Sequence, residues 1–514
     1  MRPKGVFMVS DTTRLLSGAV IRAREELLTN ELTEKLGYSF ALWLARRQNT
    51  TPDKLVIAVG HDSRRSGERL KRAVTDGLTA ADADVLDCGM ATTPAIQMSL
   101  QMEELHVAGA VMITASALES GMNGFKFFTP DGPIVAEDAE KLLDMAANLT
   151  VPHRLVKPML LMTAYRERLK GNIMEFMGGD VALPLLGLHV VVDASNGAGG
   201  FFADLLKSLG ADTDGSLNLE PDGRFPAHEP NPENPEALRA LSAAVAETGA
   251  DLGVIFDADG DRVAIVDQNG KAINRNRLIA LIAAILLEDE KDLTFVTDSV
   301  TSSGLSRFIT EWGGTHYRFR RGYKNVIEEA KRLSDEGINV PVAIETSGHA
   351  AMAENYFIDD GMYLATKIVC EAMWRKRDGL TLSSLIDELQ EPKESLEVRL
   401  PIVQEDVKKA ANYVIAAVLS NTLDNPEWRL APDNREGVRI LFSLDGGVDN
   451  AWFMLRLSVH DPVMAVNAES DVPGGLRRIL TQLCKVLEID NEELDLTPLK
   501  AAIDQLETKN NAQE

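Results

Sequence analysis

Only three cysteines occur in the 514 residues, Cys88, Cys370 and Cys484, and none stands in a CxxC pair. That excludes a disulfide framework or a zinc ribbon and fits a reducing cytoplasm. Long hydrophobic runs are missing too. The longest, Leu278 to Leu287 between Arg277 and Glu288, is about half of the roughly 20 apolar residues that a bilayer-spanning helix needs, so it reads as a buried helix. Near the start, Arg2 and Lys4 precede only Gly5 to Val9 before Ser10-Asp11, too short a stretch for a secretory signal. Basic residues are in deficit, with 53 Lys and Arg against 78 Asp and Glu and a formal charge of -25. Neutralising nucleic-acid phosphates or anionic lipid demands the opposite sign. Neither partner is expected, and any phosphate must be held by a local basic pocket.

What is present is ordinary globular composition, 45% hydrophobic and 25% charged, in a chain long enough for three or four domains at about 150 residues each. Short apolar runs alternate with amphipathic stretches: Lys54 to Gly60, Ala83 to Cys88 and Val107 to Thr114 read as strands, Gly67 to Ala80 and Thr93 to Met102 as helices. The rhythm restarts at Leu188 to Asp193, with helices expected over Gly200 to Leu209 and Pro235 to Thr248 and a strand over Asp251 to Phe256. It starts a third time at Leu293 to Thr297, followed by a helix at Tyr323 to Leu333 and a strand at Val340 to Ile344. Leu155 to Gly178 looks like a connecting helix. After a break at Glu391 to Ser395 the pattern changes: Leu396 to Leu400 and Val438 to Phe442 read as strands, Trp452 to Ser458 alternates, and Gly475 to Leu487 is helical. Three tandem α/β domains with a smaller α+β domain after them are the simplest account, over residues 1–160, 161–275, 276–393 and 394–514.

The sharpest chemical signal is Leu252-Gly-Val-Ile-Phe-Asp-Ala-Asp-Gly-Asp-Arg262, a buried strand ending in carboxylates at alternate positions, Asp257, Asp259 and Asp261. Three hard oxygen donors around Gly260 suit Mg²⁺, and three unpaired carboxylates in one turn would repel each other without a cation. An EF-hand does not fit, since the glycine comes fourth and the twelfth residue is Gln268. A second signal, Val111-Met-Ile-Thr-Ala-Ser116, brings a serine to a strand's carboxyl end, where α/β sheets place ligands. Asn123-Gly-Phe-Lys126 then reads as a flexible turn carrying a cation, and Arg14 and Arg64 lie in polar loops. A third, Ala343-Ile-Glu-Thr-Ser-Gly-His349, presents Glu345, Ser347 and His349, donor and acceptor types that read sugar hydroxyls, with an imidazole that can move a proton. Leu455-Arg456-Leu-Ser458-Val-His460 sets donors at alternate positions and suits either a phosphate or an amphipathic edge strand. Asn196-Gly-Ala-Gly-Gly200 lacks the dinucleotide fingerprint.

Together, and in this order, these segments resemble the α-D-phosphohexomutase family over nearly the whole chain. Ser10-Asp11 with Arg14 is similar to its N-terminal loop, and Gly60-His-Asp-Ser-Arg64-Arg-Ser-Gly67 to its Gly-Arg-Asp-x-Arg-x-Ser-Gly. Thr114-Ala-Ser116 resembles the phosphoserine loop, Asp257 to Arg262 the metal loop, Glu345 to His349 the sugar loop and Arg456-Leu-Ser458 the phosphate loop. Shorter matches are Pro221 to Pro226, Pro230 to Glu233 and Asp359-Asp-Gly361.

The resemblance implies α/β domains with mixed sheets around a central cleft, closed by the C-terminal domain. It implies a phosphomannomutase/phosphoglucomutase that interconverts hexose 1-phosphate and hexose 6-phosphate through phosphorylated Ser116 and a hexose 1,6-bisphosphate. Ser116, Arg14, Lys126 and His349 would be catalytic, and Ser116, Asp257, Asp259 and Asp261 would hold Mg²⁺. Arg262, Lys324, Glu345, Ser347, His349, Arg456, Ser458 and His460 would bind substrate in a monomer or homodimer. Two departures stand out: Ala117-Leu-Glu replaces the family's His-Asn-Pro after the serine, and Val459 and His460 replace Gly/Asn and Thr in the phosphate loop. They keep two alternatives in view, a phosphoglucosamine mutase and a mutase fold that binds sugar phosphate without turnover. An aspartyl phosphatase with Asp257 as nucleophile is a third, although that class places Thr or Val where Asp261 stands.

Overall fold

The computed structural model describes residues 16–17, 20–149, 151, 157–179, 181–458, 461–489 and 492–511. Arg14 and the Ser10-Asp11 loop, Val459 and His460 lie outside the described residues. The chain divides into two compact units, Met1–Asn274 with Ser347–Leu385, and Arg275–Thr346 with Ile386–Glu514.

The first unit contains two sheets. In the larger, strands Leu16–Ser17, Val20–Arg24, Met122–Thr129, Gly109–Ile113, Val56–His61, Asp84–Met90 and Lys157–Pro158 lie side by side in that order, and Gly132–Pro133 pairs with Met122–Thr129. Val56–His61 runs parallel to both of its neighbours, whereas Met122–Thr129 is antiparallel to Gly109–Ile113, so the sheet is mixed. The expectation of a flexible turn at Asn123 to Lys126 is therefore corrected: these residues sit inside a buried strand. Helix Gly67–Ala80 buries Leu70, Ala73, Val74 and Leu78, the spacing of one apolar stripe. With helices Asn30–Arg47 and Ala136–Ala147 it closes a core that includes Phe40, Phe125 and Phe127. The first two of these helices meet without side chains between them, since a Cβ on Gly77 would lie 1.8 Å from the Glu34 carbonyl oxygen and one on Gly37 2.2 Å from that of Val74.

The second sheet is ordered Ala272–Ile273, Val263–Asp267, Leu252–Phe256, Val190–Asp193. Its inner pair is an antiparallel hairpin, and the metal-loop sequence is the connection between its strands. Helix Pro235–Thr248 covers it with clear local signals. The Asn234 side chain accepts from the Glu236 and Ala237 N–H groups, Pro235 opens the first turn, and Gly249 ends the helix at φ +67°. Helix Leu161–Phe176 occupies the connecting segment expected there.

In the second unit, strands Thr315–Phe319, Thr294–Asp298 and Val342–Ile344 run parallel. Helix Asn276–Asp289 is apolar on nearly every side, with Leu278 to Ile285 all buried, as its sequence requires. The C-terminal part is a five-stranded sheet in the order Glu394–Pro401, Val463–Ser470, Ala451–Leu457, Val438–Phe442, Arg429–Leu430, antiparallel throughout. Ala451–Leu457, which carries Arg456, is thus an inner strand and not an edge. No helix among the described residues is long and apolar enough to cross a membrane.

Candidate active site

The large sheet delivers Ser116 just beyond the end of Gly109–Ile113, and the hairpin of the second sheet delivers Asp257, Asp259 and Asp261, all within the first unit. Ser116 is buried and left-handed, at φ +56°, a conformation that a non-glycine residue keeps only where its surroundings enforce it. The enforcement is visible. Its N–H donates to Thr114 Oγ1 at 2.8 Å, and its carbonyl accepts from Arg64 Nη2 at 2.7 Å. Arg64 also donates to the carbonyls of Leu118, Glu119 and Met122 at 2.6 to 2.9 Å, and its Nε to Asp62 Oδ2 at 3.2 Å. Phe225, from the Pro221 to Pro226 segment, places its ring 5.1 Å from the same guanidinium. Ala117, Leu118 and Glu119 depart from the family in side chain, yet two of the three serve this clamp through their carbonyl oxygens, which any residue supplies.

The Ser116 hydroxyl donates to Asp257 Oδ2 at 3.1 Å, while Asp257 Oδ1 accepts the N–H groups of Gly260 and Arg262, each at 3.1 Å. Lys126 comes from the strand antiparallel to the serine's own and bridges Asp259 Oδ2 at 2.9 Å and Asp261 Oδ2 at 2.6 Å; Thr93 also donates to Asp259. Burial and the like charges of Asp259 and Asp261 push Asp257 well above the ordinary carboxylate range. Burial works the same way on Asp261, but the cations Lys126, first, and Arg262 outweigh it and hold that carboxyl below its usual value.

The three aspartates offer oxygens that lie within 4.8 Å of one another. Asp259 Oδ1 and Asp261 Oδ1 are buried with no hydrogen-bond partner, so each keeps one oxygen for a cation. Hard oxygen donors of this number fit Mg²⁺.

Around this centre, Arg262 Nε donates to His349 Nε2 at 2.8 Å, and His349 Nδ1 lies 2.7 Å from Asp359 Oδ2. Ser116, Lys126, the three aspartates, Arg262 and His349 are therefore brought together, and Ser347 belongs to the same unit. Lys324, Glu345, Arg456 and Ser458 belong to the second unit, whose boundary falls inside the Glu345 to His349 segment. Glu345 accepts the Gly322 N–H at 2.6 Å at the start of helix Tyr323–Asp335, the helix that carries Lys324. Arg456 is buried with its Nε unpartnered, and burial together with nearby Arg321 makes its charge costly. Asp62, Thr93 and Asp359 were not anticipated as site residues. Asp62 and Asp359 lie in quoted motifs, but nothing in sequence spacing sends them to this centre.

Family models for phosphoglucomutase/phosphomannomutase alpha/beta/alpha domains match in succession, domain I at residues 17–150, domain II at 166–270 and domain III at 274–392. A phosphoglucomutase/phosphomannomutase of Thermococcus kodakarensis is 30% identical over 481 residues, covering 91% of this chain and 96% of that one. The chain belongs to the α-D-phosphohexomutase family. As a phosphohexomutase it is an enzyme of intramolecular phosphoryl transfer. It is also similar to a protein named as a probable phosphoglucosamine mutase from Methanopyrus kandleri, 27% identical over 483 residues, 91% of this chain and 96% of the other. A solved phosphoglucomutase/phosphomannomutase family protein from Burkholderia thailandensis superimposes with a TM-score of 0.78 at 25% identity, over 94% of this chain and 98% of that one.

Proposed function

We propose that this phosphohexomutase interconverts the 1- and 6-phosphates of mannose and glucose, with Ser116 as the phosphoryl carrier and a hexose 1,6-bisphosphate as the intermediate. The observation that carries the reading is the Ser116 hydroxyl, fixed at φ +56° and bonded at 3.1 Å to the carboxylate loop. In the forward direction phosphoserine gives its phosphoryl group to a sugar hydroxyl, and the group at the sugar's other end then returns to Ser116. A loose phosphoryl-transfer transition state asks for positioning and charge balance more than for covalent help from the protein. The Arg64 clamp fixes the nucleophile's backbone, and Lys126 balances the charge of Asp259 and Asp261.

Asp257, Asp259 and Asp261 would hold Mg²⁺ together with a phosphoserine oxygen. When bound, that ion supplies charge neutralisation for the transferring group. Arg262, whose Nε lies 3.8 Å from Asp257 Oδ2, would contact a substrate phosphate beside the loop. Arg14 and His460 keep the roles that the family resemblance gives them, a catalytic loop cation and a phosphate contact. The assignment of Lys324, Glu345 and Ser347 to the sugar and of Arg456 and Ser458 to the distal phosphate rests on motif order and on the buried, partly unpartnered Arg456. Asp257 as a phosphatase nucleophile is disfavoured, because Asp261 stands where that class places Thr or Val.

Coupled assays with glucose 1-phosphate, mannose 1-phosphate and glucosamine 1-phosphate, each with and without a hexose bisphosphate, test the reading and its substrate. Intact mass spectrometry should show one phosphate that Ser116→Ala lacks. Full mutase activity in Ser116→Ala would sink it.

A further inference from the structure

Arg262 and His349 face each other across an antiparallel backbone bridge, and Val263 N–H donates to the Gly348 carbonyl at 3.2 Å. The side chains repeat the pairing, with Arg262 Nε donating to His349 Nε2 at 2.8 Å. A guanidinium has donors only, so Nε2 must offer its lone pair. The ring is then neutral and its one proton sits on Nδ1. That nitrogen lies 2.7 Å from Asp359 Oδ2 and 3.7 Å from Asp261 Oδ1. Asp359 is 1% exposed, and the imidazole meets its carboxylate as a 2.7 Å polar contact that is not aligned as a hydrogen bond.

Asp261, His349 and Asp359 are also close enough together to hold a metal ion. A cation there would need the Nδ1 lone pair. The ring proton would then move to Nε2 and point at the Arg262 N–H, so the hydrogen-bond chain and a second metal exclude each other. The contact present is the Arg262–His349 hydrogen bond, which that shift of the proton would break.

We propose that His349 and Asp359 are positioning residues that aim Arg262, and that His349 is not the proton carrier of the reaction. The Arg262 bond sets the ring tautomer, Asp359 packs its carboxylate 2.7 Å from Nδ1, Nε2 holds Arg262 by its Nε, and the terminal amino groups of a side chain 18% exposed are presented to a substrate phosphate. The inference rests on the mutase reading of the site.

Two substitutions of His349 separate positioning from proton transfer. A glutamine places its amide oxygen near the position of Nε2 and accepts from Arg262 without being able to shuttle a proton, whereas leucine keeps bulk and does neither. His349→Gln should keep kcat/KM within about tenfold of the parent, while His349→Leu loses roughly ten- to a hundredfold more, mainly in KM, as for a lost charge-assisted contact to a phosphate-binding group. In an Arg262→Ala background the leucine change should cost little further, because the two residues act as one unit. Independently of turnover, ¹⁵N NMR of histidine-labelled parent protein should show His349 neutral with its proton on Nδ1, and Asp359→Asn should weaken that preference. The proposal is overturned if glutamine and leucine are equally impaired with the loss in kcat, or if the parent ring carries its proton on Nε2. A parent without mutase activity in the coupled assays would remove the proposed function and leave the NMR result to judge the Asp359–His349–Arg262 chain.

Discussion

Arg64→Met keeps the aliphatic bulk beside Phe225 and removes every guanidinium donor from the serine loop. The abandoned acceptors are not equal. Leu118 and Glu119 are exposed, so water replaces the donor at their carbonyls, but Ser116 and Asp62 are buried. Depriving a buried carboxylate of its cation costs about 3–5 kcal/mol. Asp62 keeps the Thr114 hydroxyl at 2.7 Å and the residue-64 N–H at 3.0 Å, so the lower end, about 3 kcal/mol, is the better figure, on the order of a hundredfold in an opening equilibrium. Hydrogen exchange read by mass spectrometry over residues 114–122 should therefore quicken by about that factor, while the hairpin of the second sheet stays protected.

The effect has a pH signature. Burial already raises the Asp62 carboxyl against the pull of Arg64, and losing Arg64 raises it further. A carboxyl whose folded pKa lies above the unfolded value near 3.9 penalises the folded state in full above the folded pKa, and the penalty shrinks as pH falls through it and is gone below the unfolded value. At matched pH, the gap between parent and variant should be widest where Asp62 is ionised in both and should narrow as pH falls toward the unfolded value near 3.9. Unchanged exchange over 114–122, or a gap that widens on acidification, would refute the clamp.

Other variants probe separate features. Asp259→Asn should abolish Mg²⁺-dependent turnover with little change in melting temperature, and activity persisting in excess chelator would contradict the metal assignment. Tyr165→Phe removes a 2.7 Å donor to buried Asp360, which burial pushes to about 6. Because that value is raised, the stability linked to the protonated form is full below about pH 3.9 and fades through about 6. The variant should accordingly lose about 1.5–3 kcal/mol at pH 7.5 and less at pH 5, and equal losses at both would argue against it. Gly77→Ala must push two helices apart at a 1.8 Å approach, costing about 1–3 kcal/mol, and an unshifted Tm would show that the helices give way freely.

The sequence made plain whatever is decided locally. Helices Gly67–Ala80, Pro235–Thr248 and Gly475–Leu487 begin and end where stripe, caps and glycines place them, and the acidic loop is unmistakable because its three carboxylates are contiguous. Asn123 to Lys126 misled because Asn-Gly is a turn signal. Antiparallel pairing on both sides of that strand and burial of Phe125, Phe127 and Phe128 override it. The segment from Leu455 to His460 reads equally as a phosphate site or an amphipathic edge strand, yet the strand that carries Arg456 is an inner one. Its second face is in fact covered as well, since Trp452 and Met454 pack with Val300, Ala431 and Leu441, a contact between segments more than a hundred residues apart. Asp359 was hidden behind its neighbour: Asp360 caps helix Gly361–Arg377, which accounts for an Asp-Asp-Gly without any second role. His349 was recognisable as polar and well placed, but the state of its ring depends on which partner meets each nitrogen.

The path of the chain gives the site an order of assembly. The polypeptide leaves the first unit at Asn274 and re-enters it at Ser347, so synthesis delivers Ser116, Lys126 and the three aspartates well before His349 and Asp359. At about 5–20 residues per second, a nascent chain spends several seconds with the serine and the acidic loop made and His349, the partner of Arg262, and Asp359 beside it not yet synthesised. A ribosome stalled in that interval would carry a chain in which the guanidinium of Arg262 still lacks its imidazole partner.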